Sequence, residues 1–407
     1  MYLEERRFAI IKHLIENNNG SVAYYSAHFG VSKETIRHDL NVLAESGFIR
    51  RCHGGAILSR RNLLSELNLG NSDELYDLLK KISSDSEILK YYRGQRKMNG
   101  RVCVFGSFNV DIVAKVSRFP RSGESLMALG SSVGPGGKGT NQATAASKAG
   151  AHVHFVSKVG KDQFSKMATE HLTLSEIDSF NLYQSDTEPT GSAIIYVSQD
   201  NGENMIAIYS GANTTVTNTE VQGVLPALSK SDILLVQLEN NFDATLSLVR
   251  AARDMNKTVI LNPAPYSPSA KDFLPYVDII TPNETEASLL SGVPITDMDS
   301  AKDAAKKIQS LGVATVLITM GSKGALLLIE DGFHHVNPYR AVVVDTTGAG
   351  DAFNGALAAT LASGNDIIYS ASWASAFASM AVELEGASSM PDINLVNAKF
   401  NEYQSLK

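Results

Sequence analysis

The sequence predicts an α/β protein in two parts: a small helical head with a β wing, then a larger body built on a mainly parallel sheet covered by helices on both sides. Three observations carry this. Up to Leu58, apolar residues recur at helical spacing in short runs punctuated by Gly. From Val102 onward, short apolar strand patterns alternate with helical stretches, the order that gives parallel sheets with crossover helices. Finally, Asp345-Thr346-Thr347-Gly348-Ala349-Gly350-Asp351-Ala352-Phe353-Asn354-Gly355 places glycines between a strand pattern, Val342-Val343-Val344, and a helix pattern, Ala352 to Ala362.

The chain has 407 residues, 43% hydrophobic and 19% charged, which is ordinary for a globular protein of two or three domains. Its net charge of −7 hides an asymmetry: residues 1–61 hold nine Lys/Arg against six Asp/Glu, leaving 27 basic and 37 acidic residues for the remainder. A basic head on an acidic body points to a polyanion partner at the head alone. Cys52 and Cys103 lie far apart without metal-ligand spacing and read as reduced packing thiols. The N-terminus lacks the apolar run of a signal peptide, and no apolar stretch approaches membrane-spanning length. A cytoplasmic location and no membrane partner are the expectation.

In the head, Phe8, Ile11, Leu14 and Ile15 mark a first helix that stops at Asn17-Asn18-Asn19-Gly20. Ser21 opens a second helix carrying Val22, Tyr25 and Phe29, and Gly30 supplies a tight turn. Ser32 caps a third, Lys33 to Ala44, with Ile36, Leu40 and Leu43 facing inward. Lys33, Thr35, Arg37 and His38 are left for solvent or for DNA in a major groove. Phe48 to Leu58 then alternates as a hairpin turning at His53-Gly54-Gly55, with Arg50 and Arg51 available to phosphates. The bland alternative is a three-helix bundle that docks a protein.

Phe29-Gly30-Val31-Ser32-Lys33-Glu34-Thr35-Ile36-Arg37-His38-Asp39-Leu40, followed by Arg51-Cys52-His53-Gly54-Gly55-Ala56, resembles the winged helix-turn-helix of DeoR-type sugar-metabolism repressors. The resemblance covers residues 1–58, with His38 where that family often has a second Arg. It implies binding of double-stranded DNA through Ser32, Lys33, Thr35, Arg37, His38, Arg50 and Arg51. Such proteins usually bind palindromes as dimers, so a homodimer is implied. Residues 59–100 read as a connector: Leu75, Leu78, Leu79 and Ile82 suit one short helix, Ile88-Leu89 with Tyr91-Tyr92 another. The sugar-sensing domain usual in DeoR-type repressors does not follow.

In the body, Val102 to Phe105, Val153 to Val156, Ile233 to Val236, Thr258 to Leu261, Ile279-Ile280 and Val316 to Ile318 read as buried strands. Asn141 to Ala149, Ala244 to Asp254 and Ala301 to Leu311 read as helices between them. An alternating pair, Thr190 to Val197 and Met205 to Ile208, suits a small lid sheet. Sites in such folds lie at the carboxyl ends of the strands. There stand Asn109 and Asp111, the segment Gly136-Gly137-Lys138-Gly139-Thr140-Asn141, Glu239, and Asn283-Glu284-Thr285-Glu286. Each set alone is compatible with turn or capping chemistry, and no Walker P-loop is present. Together they offer amides and carboxylates for hydroxyl groups beside an anion site. Gly348 and Gly350 sit where a helix begins, an end that attracts anions. Asp351 fits either a base that takes the proton of an attacking hydroxyl or an ordinary N-terminal acid that stabilises its helix.

Gly106-Ser107-Phe108-Asn109-Val110-Asp111, the Gly136 to Asn141 segment, Asn262-Pro263-Ala264-Pro265, Asp278 to Glu286 and the Asp345 to Gly355 motif resemble the ribokinase family of PfkB carbohydrate kinases, from about Arg101 to near the C-terminus. The resemblance implies a ribokinase-like sandwich with a β lid over residues 101–407, and ATP-dependent phosphorylation of ribose. Asp351 would be the base, with Gly348, Ala349 and Gly350 as the anion hole. Asn109, Asp111, Gly137, Lys138, Asn141 and Glu239 would hold the sugar. Asn283 and Glu286 would serve the phosphates and Mg²⁺, and Thr319, Gly321, Ser322, Gly324 and Ser375 would contact ATP. Asp345 and Thr347, with Ala381 and Gly386, would belong to a monovalent cation (K⁺) site, although Gly386-Ala387-Ser388-Ser389-Met390-Pro391 departs from the family pattern. Three readings stay open: a kinase joined to a DNA-binding regulator, a regulator whose kinase fold only senses sugar, and a kinase for 2-deoxyribose, another pentose or a nucleoside.

Overall fold

The computed structural model describes residues 3–17, 19–45, 49–52, 54–58, 100–200 and 203–405. The connector helices expected between 59 and 99 lie outside the described residues. The chain forms two compact units. The smaller takes the described residues before Gly100 together with Thr173–Asn181, and the larger takes the rest.

The head is built from α1 (Leu3–Asn17), α2 (Val22–Phe29) and α3 (Lys33–Glu45), with strands β1 (Asn19–Ser21), β2 (Ile49–Cys52) and β3 (Gly55–Leu58). The expected β2–β3 hairpin is present, and β1 adds to it in the order β1-β3-β2. That third strand was not legible, because Asn19-Gly20-Ser21 carries no strand propensity of its own. Ser21 caps α2 by accepting from Tyr24 N at 3.0 Å, and Ser32 caps α3 by accepting from Thr35 N at 3.1 Å. Gly30 ends α2 with φ of 65°, where a side chain would be strained. Ile10, Ile11, Leu14, Val22, Tyr25, Ile36, Leu40 and Leu43 close the core. Within it Asp39 is fully buried, accepting from Arg6 Nε at 2.6 Å and from Arg7 Nε at 3.0 Å. The pair locks α3 to α1, and removing one side of it leaves charge stranded.

The body carries a nine-stranded sheet in the order β16-β15-β14-β13-β12-β11-β4-β7-β8. All six predicted strands are there: β4 (Arg101–Phe105), β7 (His152–Val159), β11 (Ile233–Val236), β12 (Thr258–Leu261), β13 (Ile279–Ile280) and β14 (Thr315–Thr319). Every pairing among these six is parallel. The edge strands β8 (Ser179–Gln184) and β16 (Gly332–Val336), with β15 (Ala325–Ile329) between β14 and β16, complete the sheet, β15 pairing antiparallel with both neighbours. A second sheet, β10-β9-β5-β6, contains the predicted lid pair β9 (Gly191–Ser198) and β10 (Asn204–Tyr209). It is larger than expected, because β5 (Asn109–Val116) and the glycine-rich β6 (Gly130–Gly136) join it.

Both faces of the main sheet are covered. Cys103, Phe105, Leu234, Val236, Val259 and Leu261 pack into one core with α6 (Asn218–Leu228), α7 (Phe242–Asp254), α8 (Glu284–Ser291) and α9 (Met298–Gln309). On these strands successive residues alternate faces, so Val104, Leu235 and Ile260, also fully buried, point the other way. That second face receives α4 (Lys138–Lys148) and α10 (Ala349–Ala362), with α11 (Ile367–Ala381) packed against α10. The chain also has α5 (Gln163–Leu174) and ends in α12 (Ile393–Ser405). No helix among the described residues is long and apolar enough to cross a membrane.

One strand expectation is corrected. Val342-Val343-Val344 forms no strand; the three side chains are 79%, 61% and 61% exposed. Val344 N and Asp345 N both donate to the Val382 carbonyl, at 2.8 and 3.1 Å, so this segment is held by the end of α11 rather than by a sheet.

The buried Arg6/Arg7–Asp39 cluster makes a measurable prediction. Asp39→Ala should lower the stability of the head by about 3–5 kcal/mol. It should appear as an earlier head transition in a thermal melt of the full chain, with the transition of the body unmoved; two unchanged transitions would contradict it.

Candidate active site

The site lies where the parallel strands end, and two close backbone approaches shape it. Gly348 is the N-cap of α10 with φ of 79°, and a Cβ there would sit 2.5 Å from the Ala387 carbonyl oxygen. Further along α10, a Cβ on Gly355 would meet the Gln142 carbonyl oxygen at 2.4 Å and Ala145 Cβ at 2.5 Å, so only glycine lets α10 lie this close to α4. The expected turn-to-helix junction is therefore present, and the motif's last glycine serves packing between helices.

Asp351 occupies the first turn of α10 and is 6% exposed. Asn141 Nδ2 donates to its Oδ2 at 3.1 Å and Gln142 Nε2 to its Oδ1 at 2.9 Å. At the neighbouring Gly350 a Cβ would touch nothing within 4 Å, so the space beside this first helical turn is open. The Ala349 N–H donates to the Thr346 carbonyl at 3.2 Å; the first-turn N–H groups lack intrahelical partners, and the dipole there favours an anion.

The expected hydroxyl-binding residues gather around Glu239, which is 5% exposed. Its Oε2 accepts from the Ser107 hydroxyl, from Asn109 Nδ2 at 3.2 Å and from Lys138 N at 3.3 Å. Asn109 opens β5, and its Oδ1 accepts from Asn213 Nδ2 at 2.9 Å. Gly137 has φ of 91° and turns the chain into α4. Asp111, on β5, is raised to about 7 by burial, then by the charges of Glu239 and Asp351, against the pull of Lys138. Burial likewise raises Glu239 and Glu286, with the charge of Asp351 contributing to both. The structure thus brings Asp111, Lys138, Glu239, Glu286 and Asp351 into one electrostatic cluster.

The other candidates fall into three groups. Asn283 and Glu286 form a reciprocal cap on α8: Asn283 Oδ1 accepts from Glu286 N at 2.8 Å and Glu286 Oε2 from Asn283 N at 2.9 Å. Asn283 bridges Thr319 at the end of β14, and Gly321 and Ser322 form the turn that follows. Gly324 packs against Asn337, whose carbonyl accepts from the Ser375 hydroxyl at 3.3 Å, so these two approach through one segment. Asp345 gathers the third group, accepting from Thr347 N at 2.8 Å and Gly386 N at 3.0 Å, with Ala381 at the end of α11.

In the head, Lys33, Arg37 and His38 are exposed on α3, Ser32 and Thr35 share the cap, and Arg37 pairs with Glu34 at 2.9 Å. Arg50 departs from expectation. It is 8% exposed, with its guanidinium donating to the carbonyls of Thr173 (2.7 Å) and Ile177, which turns the group expected to meet phosphates inward. Arg51 is half-buried on β2.

Several residues of the site carried no role in the sequence reading. Gln142, Asn213, Asn262 and Ser388 all touch it, Ser388 donating to Asn141 Oδ1 at 2.7 Å. Gln142 follows Asn141 directly; only α4's crossing of α10 reveals that both face the same carboxylate.

Comparison with known proteins agrees with this geometry. Residues 99–394 match the pfkB family carbohydrate kinase model, and residues 6–62 match the DeoR-like helix-turn-helix domain. A ribokinase of Staphylococcus aureus is 35% identical over 303 residues, covering 74% of this chain and 99% of its own length. A deoxyribokinase of Salmonella typhi is 33% identical over 307 residues, covering 75% and 99%. Arabidopsis thaliana ribokinase, solved with ribose and ATP, superposes with a TM-score of 0.66 at 32% identity, covering 74% of this chain and 98% of that one. Giardia lamblia ribokinase gives 0.69 at 31% identity, covering 74% and 99%. An anion-ready helix end, a held carboxylate and these relatives converge: the chain belongs to the PfkB carbohydrate kinases, as an ATP-dependent sugar kinase with a DeoR-like helix-turn-helix domain ahead of it.

Proposed function

We propose that the body phosphorylates ribose at its 5-hydroxyl, with Asp351 as the base, and that the head binds double-stranded DNA as a transcriptional regulator. The observation that carries the enzymatic half is Asp351, buried and held by two amides beside the open space at Gly350. The sugar oxygen attacks the γ-phosphorus of ATP, its proton passes to the Asp351 carboxylate, and ADP leaves. The N–H groups of Gly348, Ala349 and Gly350 receive the charge of the transferring group. Asn109, Asp111, Gly137, Lys138, Asn141 and Glu239 hold the sugar hydroxyls, and Asp111 reads the 2-hydroxyl.

Among the described residues no cluster of three His, Cys, Asp or Glu could cage a metal. That fits Mg²⁺ arriving with the nucleotide, since it binds through one or two carboxylates plus phosphates; Asn283 and Glu286 would hold it, and it would neutralise phosphate charge. Asp345, already tied to Thr347 and Gly386, fits a monovalent cation held with the Ala381 region, which would steady the Gly348 turn. Domain limits of 1–58, 59–100 and 101–407, a cytoplasmic location and a homodimer complete the reading. A deoxyribokinase among the relatives keeps 2-deoxyribose as the second substrate.

Asp351→Asn should reduce ATP-dependent phosphorylation of ribose by about 10³-fold while leaving ribose binding in place. Absence of phosphosugar from the wild-type protein would leave a sugar-sensing regulator, and faster turnover of 2-deoxyribose than of ribose would reassign the substrate.

Asp111 gives a pH signature. Folding raises its pKa from 3.8 to about 7, so between these values the folded protein holds a proton the unfolded chain has lost. Stability therefore falls as pH rises through that window. An ionised carboxylate is the better acceptor for a sugar hydroxyl. Calorimetric ribose affinity should accordingly rise from about pH 6 to about pH 8 and become flat in Asp111→Asn; a slope that survives the substitution would remove Asp111 from this role.

In the head, Arg37→Ala should weaken operator binding and reduce the salt slope by about 1 without changing the kinase rate. Unchanged DNA affinity would exclude α3 as the reading helix.

A further inference from the structure

The geometry points to Gln142 as a positioning residue that fixes the carboxylate of Asp351 through a buried chain of amides; this inference rests on Asp351 being the base. Gln142 is fully buried. Its Nε2 carries two protons and uses both, donating to Asp351 Oδ1 at 2.9 Å and to Asn262 Oδ1 at 3.0 Å. Its Oε1 accepts from Gln237 Nε2 at 2.6 Å. The carboxylate sets the sense of the Gln142 amide, because the opposite orientation would present the amide oxygen to it. Gln237 Nε2 then meets the Gln142 oxygen, while Gln237 Oε1 is buried without a hydrogen-bond partner.

The chain continues past Asn262. Asn262 Nδ2 donates to the Thr281 carbonyl at 3.1 Å, and the Thr281 hydroxyl to Asn354 Oδ1 at 2.5 Å. Asn354 Nδ2 then donates to the Gly350 carbonyl at 2.8 Å. Four residues, Gln142, Asn262, Thr281 and Asn354, thus link the base to the backbone beside the anion space, and the loop of contacts begins and ends on the first turn of α10. A carboxylate with a donor on each oxygen cannot rotate without breaking one of them. The γ-phosphate and the sugar hydroxyl therefore meet an acceptor whose direction is set before either arrives.

The surroundings explain why such support is needed. Asp111 from β5, Glu239 beyond β11 and Glu286 from α8 all feel the charge of Asp351, and Lys138 from α4 is the balancing cation. The donated N–H bonds satisfy both oxygens of the base among these acids.

The test is steady-state kinetics with ribose and ATP on Gln142→Met, which keeps the volume and removes the amide. We expect kcat to fall about 100-fold with ribose KM changed less than about threefold. Gln237→Met, which leaves Gln142 in place but removes the donor to its Oε1, should lower kcat in the same way by less, and it carries the test if Gln142→Met does not fold. Wild-type kcat in these variants overturns the inference, as does a kcat loss matched by lost ribose binding and an earlier melt. If Asp351→Asn keeps activity, the base assignment itself falls; if Asp351→Asn is inactive while both glutamine variants turn over normally, only the role of Gln142 falls.

Discussion

The closeness of α4 to α10 is the constraint on which the site depends. Both helices lie on one face of the parallel sheet, and Gly355 removes the one Cβ that would hold them apart. Because they touch, two consecutive side chains from the start of α4 reach one carboxylate at the start of α10. Neither helix needs an unusual conformation for this. A buried acid is costly unless its oxygens are satisfied, and here the packing itself delivers the donors.

The same economy governs the turn before α10. Gly348 takes a positive φ and lies against Ala387, while Asp345 holds Gly386 by its backbone. The segment after α11 is thereby pinned beneath the anion space, and Ser388 reaches from it to Asn141. Two stretches far apart in sequence, one ahead of α10 and one behind α11, become a single wall.

Much of this was legible because it is written in backbone chemistry. Glycines that must turn or touch, short runs of Val, Ile and Leu that must be buried, and Ser or Asn before a helix all announce themselves locally. The six parallel strands, the head helices and the Gly348 junction followed from such signals. Val342-Val343-Val344 misled because β-branched residues report a preference for extended backbone, not the existence of a neighbouring strand. The converse error hid β6, whose Gly-Ser-Ser-Val-Gly-Pro-Gly has poor propensity and is a strand only because β5 pairs with it. Gln142 was hidden for a different reason: its partner is 209 residues away, and nothing beside it in sequence marks an amide as facing an acid. Asn283 and Glu286 were read two ways, as a helix cap and as site residues; the cap is formed, and Glu286 also feels the charge of Asp351.

The wiring of the two units also bears on how the protein is made. The hydrophobic core and the Asp39 cluster of the head draw on residues between Arg6 and Ala56. The residues around the Asp351 and Glu239 carboxylates are instead drawn from Ser107 to Ser388. Domains fold as units, the N-terminal one first, during synthesis. The core of the head is therefore synthesised before any of those residues, and its Arg50 waits for Thr173 and Ile177 before its guanidinium is satisfied.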